Sequence, residues 1–167
     1  MKDKTKQICM IGLFMALICI STLFFKVPIP GGYAHLGNGF IFLAAVLLGN
    51  PGAIIAAGVG SALADLLGGW FMWIMPTLLI KLLMGFVVAS IAPRRFNIKS
   101  IRTLIAVVIG TFEMVAGYFI AGIVLMESIG ASATQIPGLI IEDVVGIIVF
   151  YFVGFALYKT KAWEKIK

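Results

Sequence analysis

Long apolar runs, broken only by short basic or glycine-rich segments, fill almost all of this 167-residue chain. Hydrophobic residues make up 62% of the sequence and charged residues only 12%, which is more apolar surface than a soluble domain of this size could bury. The surrounding solvent is therefore expected to be lipid, where only helices and closed barrels satisfy the backbone polar groups. Because the runs lack the strict alternation of barrel strands, the sequence predicts an all-α integral membrane protein.

Basic residues are concentrated in three short segments that flank the apolar runs. These residues are Lys2, Lys4 and Lys6, then Arg94, Arg95, Lys99 and Arg102, and finally Lys159, Lys161, Lys165 and Lys167. Short basic flanks are typical of the cytoplasmic side of a membrane protein, and this pattern explains the net charge of +6 without nucleic acid binding. We expect a multi-pass membrane protein with both termini in the cytoplasm.

An even number of crossings should separate each pair of basic segments, and the apolar content suits six. The predicted helices of this single membrane domain, 1–167, are roughly 7–25, 38–49, 51–67, 77–93, 103–127 and 135–158. The first run follows a basic start, but no A-x-A-like cleavage site follows it, so we expect a retained helix rather than a signal peptide. The second run is short and a tight turn, 50–52, joins it to the third, which predicts a helical hairpin.

The predicted topology places three loops on the outer side, at 26–37, 67–76 and 128–135. The first two are rich in glycine and carry Tyr33, His35, Trp70 and Trp73. Aromatic loops on one side could form a lid over a pocket. Alternatively, the two tryptophans belong to an interfacial aromatic belt and His35 is an ordinary surface histidine.

The ionisable residues inside the predicted spans include Asp65, Lys81, Glu113 and Glu142. A charge in hydrocarbon costs at least roughly 3 kcal/mol, so such residues usually face a protein interior or a water-filled cavity. Each lies on the small-residue stripe of its helix, where membrane helices approach one another. We therefore expect an outward-opening polar pocket inside the bundle. An Asp65–Lys81 ion pair that only fixes helix packing is the alternative for these two residues.

Several classes of activity have no support in the sequence. There is no G-x-x-x-x-G-K-[ST] segment, so ATP is not expected to bind through a P-loop. His35 is the only histidine, and Cys9 and Cys19 lie too far apart along one helix to bond or to share a metal. We expect no enzymatic activity, no cofactor and no metal site.

Gly12 and Ala16 form a small-xxx-small pair on the first predicted helix, in a row without any charge. Such a face suits close packing between membrane helices. It could lie in the core of the bundle, or it could dock another membrane protein.

Four segments together carry a resemblance to a known family: 35–39 (HLGNG), 49–52 (GNPG), 60–69 (GSALADLLGG) and 76–81 (PTLLIK). They resemble the substrate-binding S components of energy-coupling factor (ECF) vitamin transporters. The resemblance implies a six-helix subunit of the prokaryotic plasma membrane that captures a vitamin or precursor from outside. It also implies assembly with a transmembrane coupling (T) subunit and two cytoplasmic ATPases, which together form an ABC-type importer.

Within that family, a small-xxx-small pair on the first helix contacts the coupling subunit, which corresponds here to Gly12 and Ala16, and the first outer loop, 26–37, acts as a lid. The sequence is most similar to members assigned to hydroxymethylpyrimidine or pyridoxine. Aromatic side chains for stacking and acids for a ring nitrogen or amine suit such a ligand, whereas riboflavin would require a larger pocket. The expected ligand-binding residues are Tyr33, His35, Asn38, Asp65, Trp70, Trp73, Lys81, Glu113 and Glu142.

Two other functions stay open at this point. Glu113 and Glu142 have no basic partner left in the predicted spans, which is typical of a self-sufficient proton-coupled carrier. A structural or assembly subunit without a ligand, held together by small-residue packing, is the third possibility.

Overall fold

The computed structural model describes residues 2–29 and 32–165, so that Pro30 and Gly31 of the predicted lid loop, as well as Lys167, lie outside the described residues. Seven α-helices occur in the described part of the chain: α1 (Lys2–Phe24), α2 (Gly37–Leu48), α3 (Gly52–Gly68), α4 (Ile74–Ile91), α5 (Ile101–Met126), α6 (Ile129–Ala133) and α7 (Ile136–Thr160). Between α1 and α2, strands β1 (Lys26–Ile29) and β2 (Gly32–His35) form an antiparallel hairpin. Short 3-10 turns occupy Phe71–Trp73 and Ala162–Lys165.

Local sequence signals explain where several helices begin and end. The hydroxyl of Ser100 accepts a hydrogen bond of 3.3 Å from the backbone N–H of Arg102 and so caps the start of α5. Pro137 stands in the first turn of α7, where its missing N–H costs nothing. Gly69 adopts φ +78°, a left-handed conformation that ends α3 and that glycine tolerates well.

Four helical stretches of the described chain are long and apolar enough to cross a membrane: Lys4–Phe24, Phe71–Ile91, Ile101–Met126 and Ile129–Thr160. The apolar helices α2 and α3 are shorter. The helical membrane class predicted from the sequence is confirmed, and the β hairpin is an element that the all-α prediction missed. Six crossings stay a prediction because α2 and α3 lack the length of the other four helices.

Glycines on the helix faces allow the backbones to pack closely. A Cβ atom at Gly60 of α3 would lie 2.9 Å from the backbone oxygen of Met15 in α1, and one at Gly85 of α4 would lie 2.9 Å from that of Ala53. In lipid there is no hydrophobic driving force between helices, so close van der Waals packing of this kind stabilises the bundle instead. As a result, α3 packs between α1 and α4 while α2 packs against α7.

Apart from Lys26, the exposed cations of the described residues gather at one end of the bundle, which we call the basic end. There the amide of Asn50 donates a 3.0 Å hydrogen bond to Ser90, and the ring of Phe96 packs 5.9 Å from that of Trp163. The exposed cations of this end are Lys4, Lys6, Arg94, Arg95, Lys99, Arg102, Lys159 and Lys161. Lys26 and Glu127 lie at the opposite end, which we call the hairpin end.

Candidate functional site

A cavity of about 450 Å³, partly open to solvent, lies at the hairpin end of the bundle. The hairpin, the end of α1 and helices α3, α4, α5 and α7 contribute to its wall. The residues that line it are Thr22, Ile29, Tyr33, His35, Ser61, Asp65, Trp70, Trp73, Thr77, Tyr118, Gln135, Leu139 and Glu142. A mostly apolar cavity with a few convergent polar groups is the usual form of a small-molecule site.

The hairpin covers the cavity and is attached to α3 through Tyr33. The phenol of Tyr33 donates a hydrogen bond to Oδ1 of Asp65, and its ring packs against Trp70 at a centroid distance of 5.1 Å. Burial and the nearby carboxyl group of Asp65 raise the pKa of Tyr33 far above its usual value, so the phenol keeps the proton that it donates. The ammonium of Lys26 lies over the ring of Tyr33, 5.1 Å from its centroid.

His35 connects the same hairpin to α7. Its Nδ1 accepts a 3.0 Å hydrogen bond from the backbone N–H of Gly37, and its Nε2 lies 3.3 Å from Oε1 of Glu142. Burial, followed by the charge of Lys81, lowers the pKa of His35 well below 6.5. The ring is therefore neutral near pH 7 and carries its proton on Nε2, facing Glu142.

Behind the cavity wall lies a set of hydrogen-bonded polar side chains that we call the buried network: Asn38, Lys81, Met114, Glu142 and Asp143. The ammonium of Lys81 donates a 2.7 Å hydrogen bond to Oδ1 of Asn38 and lies 3.7 Å from Oε1 of Glu142. It also lies 3.0 Å from the sulfur of Met114. The amide of Asn38 in turn donates a 2.8 Å hydrogen bond to Asp143. These contacts fix Lys81 directly behind a carboxyl group of the cavity.

Six of the nine predicted ligand-binding residues line the cavity: Tyr33, His35, Asp65, Trp70, Trp73 and Glu142. Asn38 and Lys81 lie behind the wall, in the buried network. Glu113 is half-buried on α5 and is not part of the wall. Direct contact of any of these residues with a ligand stays a prediction. The ion pair of Lys81 forms with Glu142 rather than with Asp65.

Gly12 and Ala16 are both exposed on the outside of α1. A Cβ atom added at Gly12 would have nothing within 4 Å. The pair therefore faces away from the bundle, and packing in its core is ruled out as the reason for the small residues.

Other residues of the wall and of the buried network were not among the predicted site residues. Ser61 and Thr77 stand four positions before Asp65 and Lys81 on the same helical faces, and this spacing could have identified both. Asp143 is an acid inside a predicted span, and its charge could have identified it in the same way as that of Glu142. The remaining residues carry no such signal in the sequence: Thr22, Ile29, Met114, Tyr118, Gln135 and Leu139.

Three buried oxygen atoms on the cavity wall have no hydrogen-bond partner within the described residues: Thr22 Oγ1, Ser61 Oγ and Asp65 Oδ2. Their residues are between 1% and 4% exposed. An unsatisfied buried polar atom costs about 1–3 kcal/mol, and native structures contain few of them. Their convergence on one cavity is therefore the geometry of a site that a hydrogen-bonding molecule would complete.

A polar cavity enclosed by membrane helices and covered by a hairpin defines a membrane-embedded binding protein. The chain matches, over residues 2–159, the family described as "ECF-type riboflavin transporter, S component", and it belongs to that family. It is thus a multi-pass integral membrane protein and an S component of the ECF type, as its sequence motifs indicate.

The chain is also similar to a protein of Pyrococcus woesei described as "Uncharacterized protein in gap 3'region". The two are 36% identical over 144 residues, which cover 85% of this chain and 95% of the relative. The similarity thus extends over nearly the whole of both chains.

Proposed function

We propose that this protein is the high-affinity vitamin-binding subunit of an ECF-type ABC importer and captures a small heterocyclic vitamin or precursor from outside the cell. The observation that carries the proposal is the set of three unpartnered oxygens on one covered cavity. Such a constellation favours a ligand with several hydrogen-bonding groups, and membership of the S-component family supports a vitamin as that ligand.

Pyridoxine or hydroxymethylpyrimidine is the ligand that we favour. Two aromatic pairs lie along the wall, Tyr33 with Trp70 at 5.1 Å and Trp73 with Tyr118 at 5.8 Å between ring centroids. A single heteroaromatic ring could stack against these side chains while its hydroxyl or amino groups meet the wall oxygens. Riboflavin, named in the description of the family, has three fused rings, whereas each of these aromatic pairs suits stacking with a single ring.

The proposed topology has six crossings, with both termini and the basic end in the cytoplasm, as the positive-inside rule suggests. The cavity then opens to the outside. The transmembrane coupling subunit would contact the exposed face of Gly12 and Ala16, and two ATPase subunits would supply the energy for uptake. The chain itself is proposed to have no enzymatic activity.

Binding and transport measurements separate this proposal from the alternatives. The purified chain should bind one of pyridoxine, hydroxymethylpyrimidine and riboflavin in titration calorimetry without ATP, in detergent and at constant pH. Proteoliposomes that contain only this chain should not accumulate the ligand. Uptake by the chain alone, driven by a pH gradient, would instead favour a proton-coupled carrier, and binding of none of the three would contradict the proposal.

Gly12→Leu and Ala16→Trp are each expected to leave ligand binding intact and to prevent assembly with the coupling subunit. Both replacements add bulk to a face on which partner helices would approach closely. Val108→Trp provides the control, because Val108 is 52% exposed on a different helix, α5. Co-purification of the coupling subunit with each variant measures assembly. If either α1 variant still assembles as Val108→Trp does, this face is not the docking site.

A further inference from the structure

We propose that the cavity selects against anionic ligands and accepts the neutral or cationic, donor-rich form of its heterocycle. The inference rests on the proposed function, since it assigns a charge preference to the same cavity. Two sets of charged groups support this preference. Acids line the cavity, and the nearest cation behind its wall already has protein partners.

The described wall of the cavity contains two acids and no lysine or arginine. The acids are Asp65 and Glu142, which are 4% and 3% exposed. His35, the remaining titratable base of the wall, is neutral near pH 7 for the reasons given above. Lys26 is exposed, its ammonium lies 5.1 Å from the ring centroid of Tyr33, and it is not part of the wall.

The nearest cation behind the wall is already engaged by protein groups. Lys81 is 0% exposed, and its ammonium has Asn38 Oδ1 at 2.7 Å, the sulfur of Met114 at 3.0 Å and Glu142 Oε1 at 3.7 Å. An anionic group in the cavity would meet the carboxyl group of Glu142 before it could approach Lys81. Asp143 is a further acid in the buried network, and its partner is the amide of Asn38.

The unpartnered carboxyl oxygen of the wall points to the same preference. Asp65 Oδ2 completes its hydrogen bonding when a ligand brings an N–H, an O–H or an ammonium group. A phosphate or carboxylate brings acceptor oxygens instead, so it would place like charges or like dipoles together in a site of low polarity. Removing that group from water without a compensating cation is unfavourable.

The chemical class of the ligand follows from these contacts. A hydroxylated or aminated heterocycle fits, and its phosphate ester does not. A transporter with this site would deliver the unphosphorylated vitamin, so any phosphorylation of the imported molecule would have to follow uptake.

Matched pairs of ligands test the inference on the unmodified protein. Each pair consists of an uncharged vitamin and its phosphate ester: pyridoxine, hydroxymethylpyrimidine and riboflavin, each with its monophosphate. In calorimetry at pH 7.5 and fixed ionic strength, the ester of whichever vitamin binds should bind at least about 100-fold more weakly. An acetyl ester at the same hydroxyl adds bulk without charge, and it should bind more tightly than the phosphate.

Variants then locate the source of the preference. Asp65→Asn and Glu142→Gln each remove one acid from the wall, so each should reduce the ratio between vitamin and phosphate ester at least about tenfold. Glu127→Gln removes an acid from the same end of the molecule but outside the cavity, and it should leave the ratio unchanged.

The outcomes distinguish this inference from the proposed function. A phosphate ester that binds as tightly as its vitamin would overturn the charge preference and leave the vitamin-binding function standing. An acetyl ester that binds as weakly as the phosphate would also overturn it, because size rather than charge would then decide. Absence of binding by every member of every pair would remove both the function and the inference.

Discussion

Lys81→Met is expected to abolish measurable ligand binding and to lower the free energy of unfolding by about 3–5 kcal/mol, the range for breaking a buried ion pair. The substitution keeps the length of the side chain but removes its charge and its hydrogen bonds. Asn38 would lose its 2.7 Å partner, and Glu142 would lose the cation 3.7 Å from its Oε1. Calorimetry measures the binding, and reversible unfolding in mixed micelles measures the stability.

Two further variants of this chain serve as controls for the prediction. Lys6→Met removes an exposed cation at the basic end and should change neither measurement. The double variant Lys81→Met/Glu142→Gln removes both partners of the pair, so it should recover much of the stability while binding stays lost. A single Lys81→Met protein as stable as the unmodified chain would show that Lys81 does not compensate the buried acids.

Gly146→Val is expected to lower the free energy of unfolding by about 3 kcal/mol, because it inserts a branched side chain where α7 meets α2. A Cβ atom at Gly146 would lie 2.8 Å from the Cβ of Asn38 and 3.2 Å from the backbone nitrogen of Gly39. Because α2 carries Asn38, its displacement would also pull the amide away from Lys81 and Asp143 and weaken ligand binding.

Gly12→Val is the matched control for this second prediction. It makes the same substitution in a helix, at a position where an added Cβ atom has nothing within 4 Å. The stability of the isolated chain should therefore change by less than about 1 kcal/mol, in the direction of helix propensity. Equal losses for the two variants would mean that the contact between α7 and α2 is not what makes Gly146 necessary.

Composition predicted the class of this protein because an apolar fraction this high leaves no alternative to lipid. The positions of Asp65 and Glu142 predicted a polar cavity, because a buried ionisable group requires a polar environment. Both residues contribute to the cavity wall. Helical periodicity, however, fixes the face on which a residue lies without fixing the neighbour. It could not show that Lys81 pairs with Glu142, nor that Glu113 lies away from the wall.

Two other features could not have been found in the sequence. Strands of four residues that contain glycine or proline have no clear alternation, so the hairpin resembles an ordinary loop. Asp143 follows Glu142 directly and is rotated by about 100° on the helix, which directs it to a different neighbour. Only the packing of α2 against α7 supplies that neighbour, the amide of Asn38.

The hairpin also connects α1 mechanically to the cavity. Phe25 alone separates α1 from β1, and β1 is paired with the strand that carries Tyr33 and His35. A partner that binds α1 at Gly12 and Ala16 and tilts or slides that helix would therefore move the hairpin that covers the cavity. A force applied midway along α1 would be transmitted to the cavity through the continuous backbone alone.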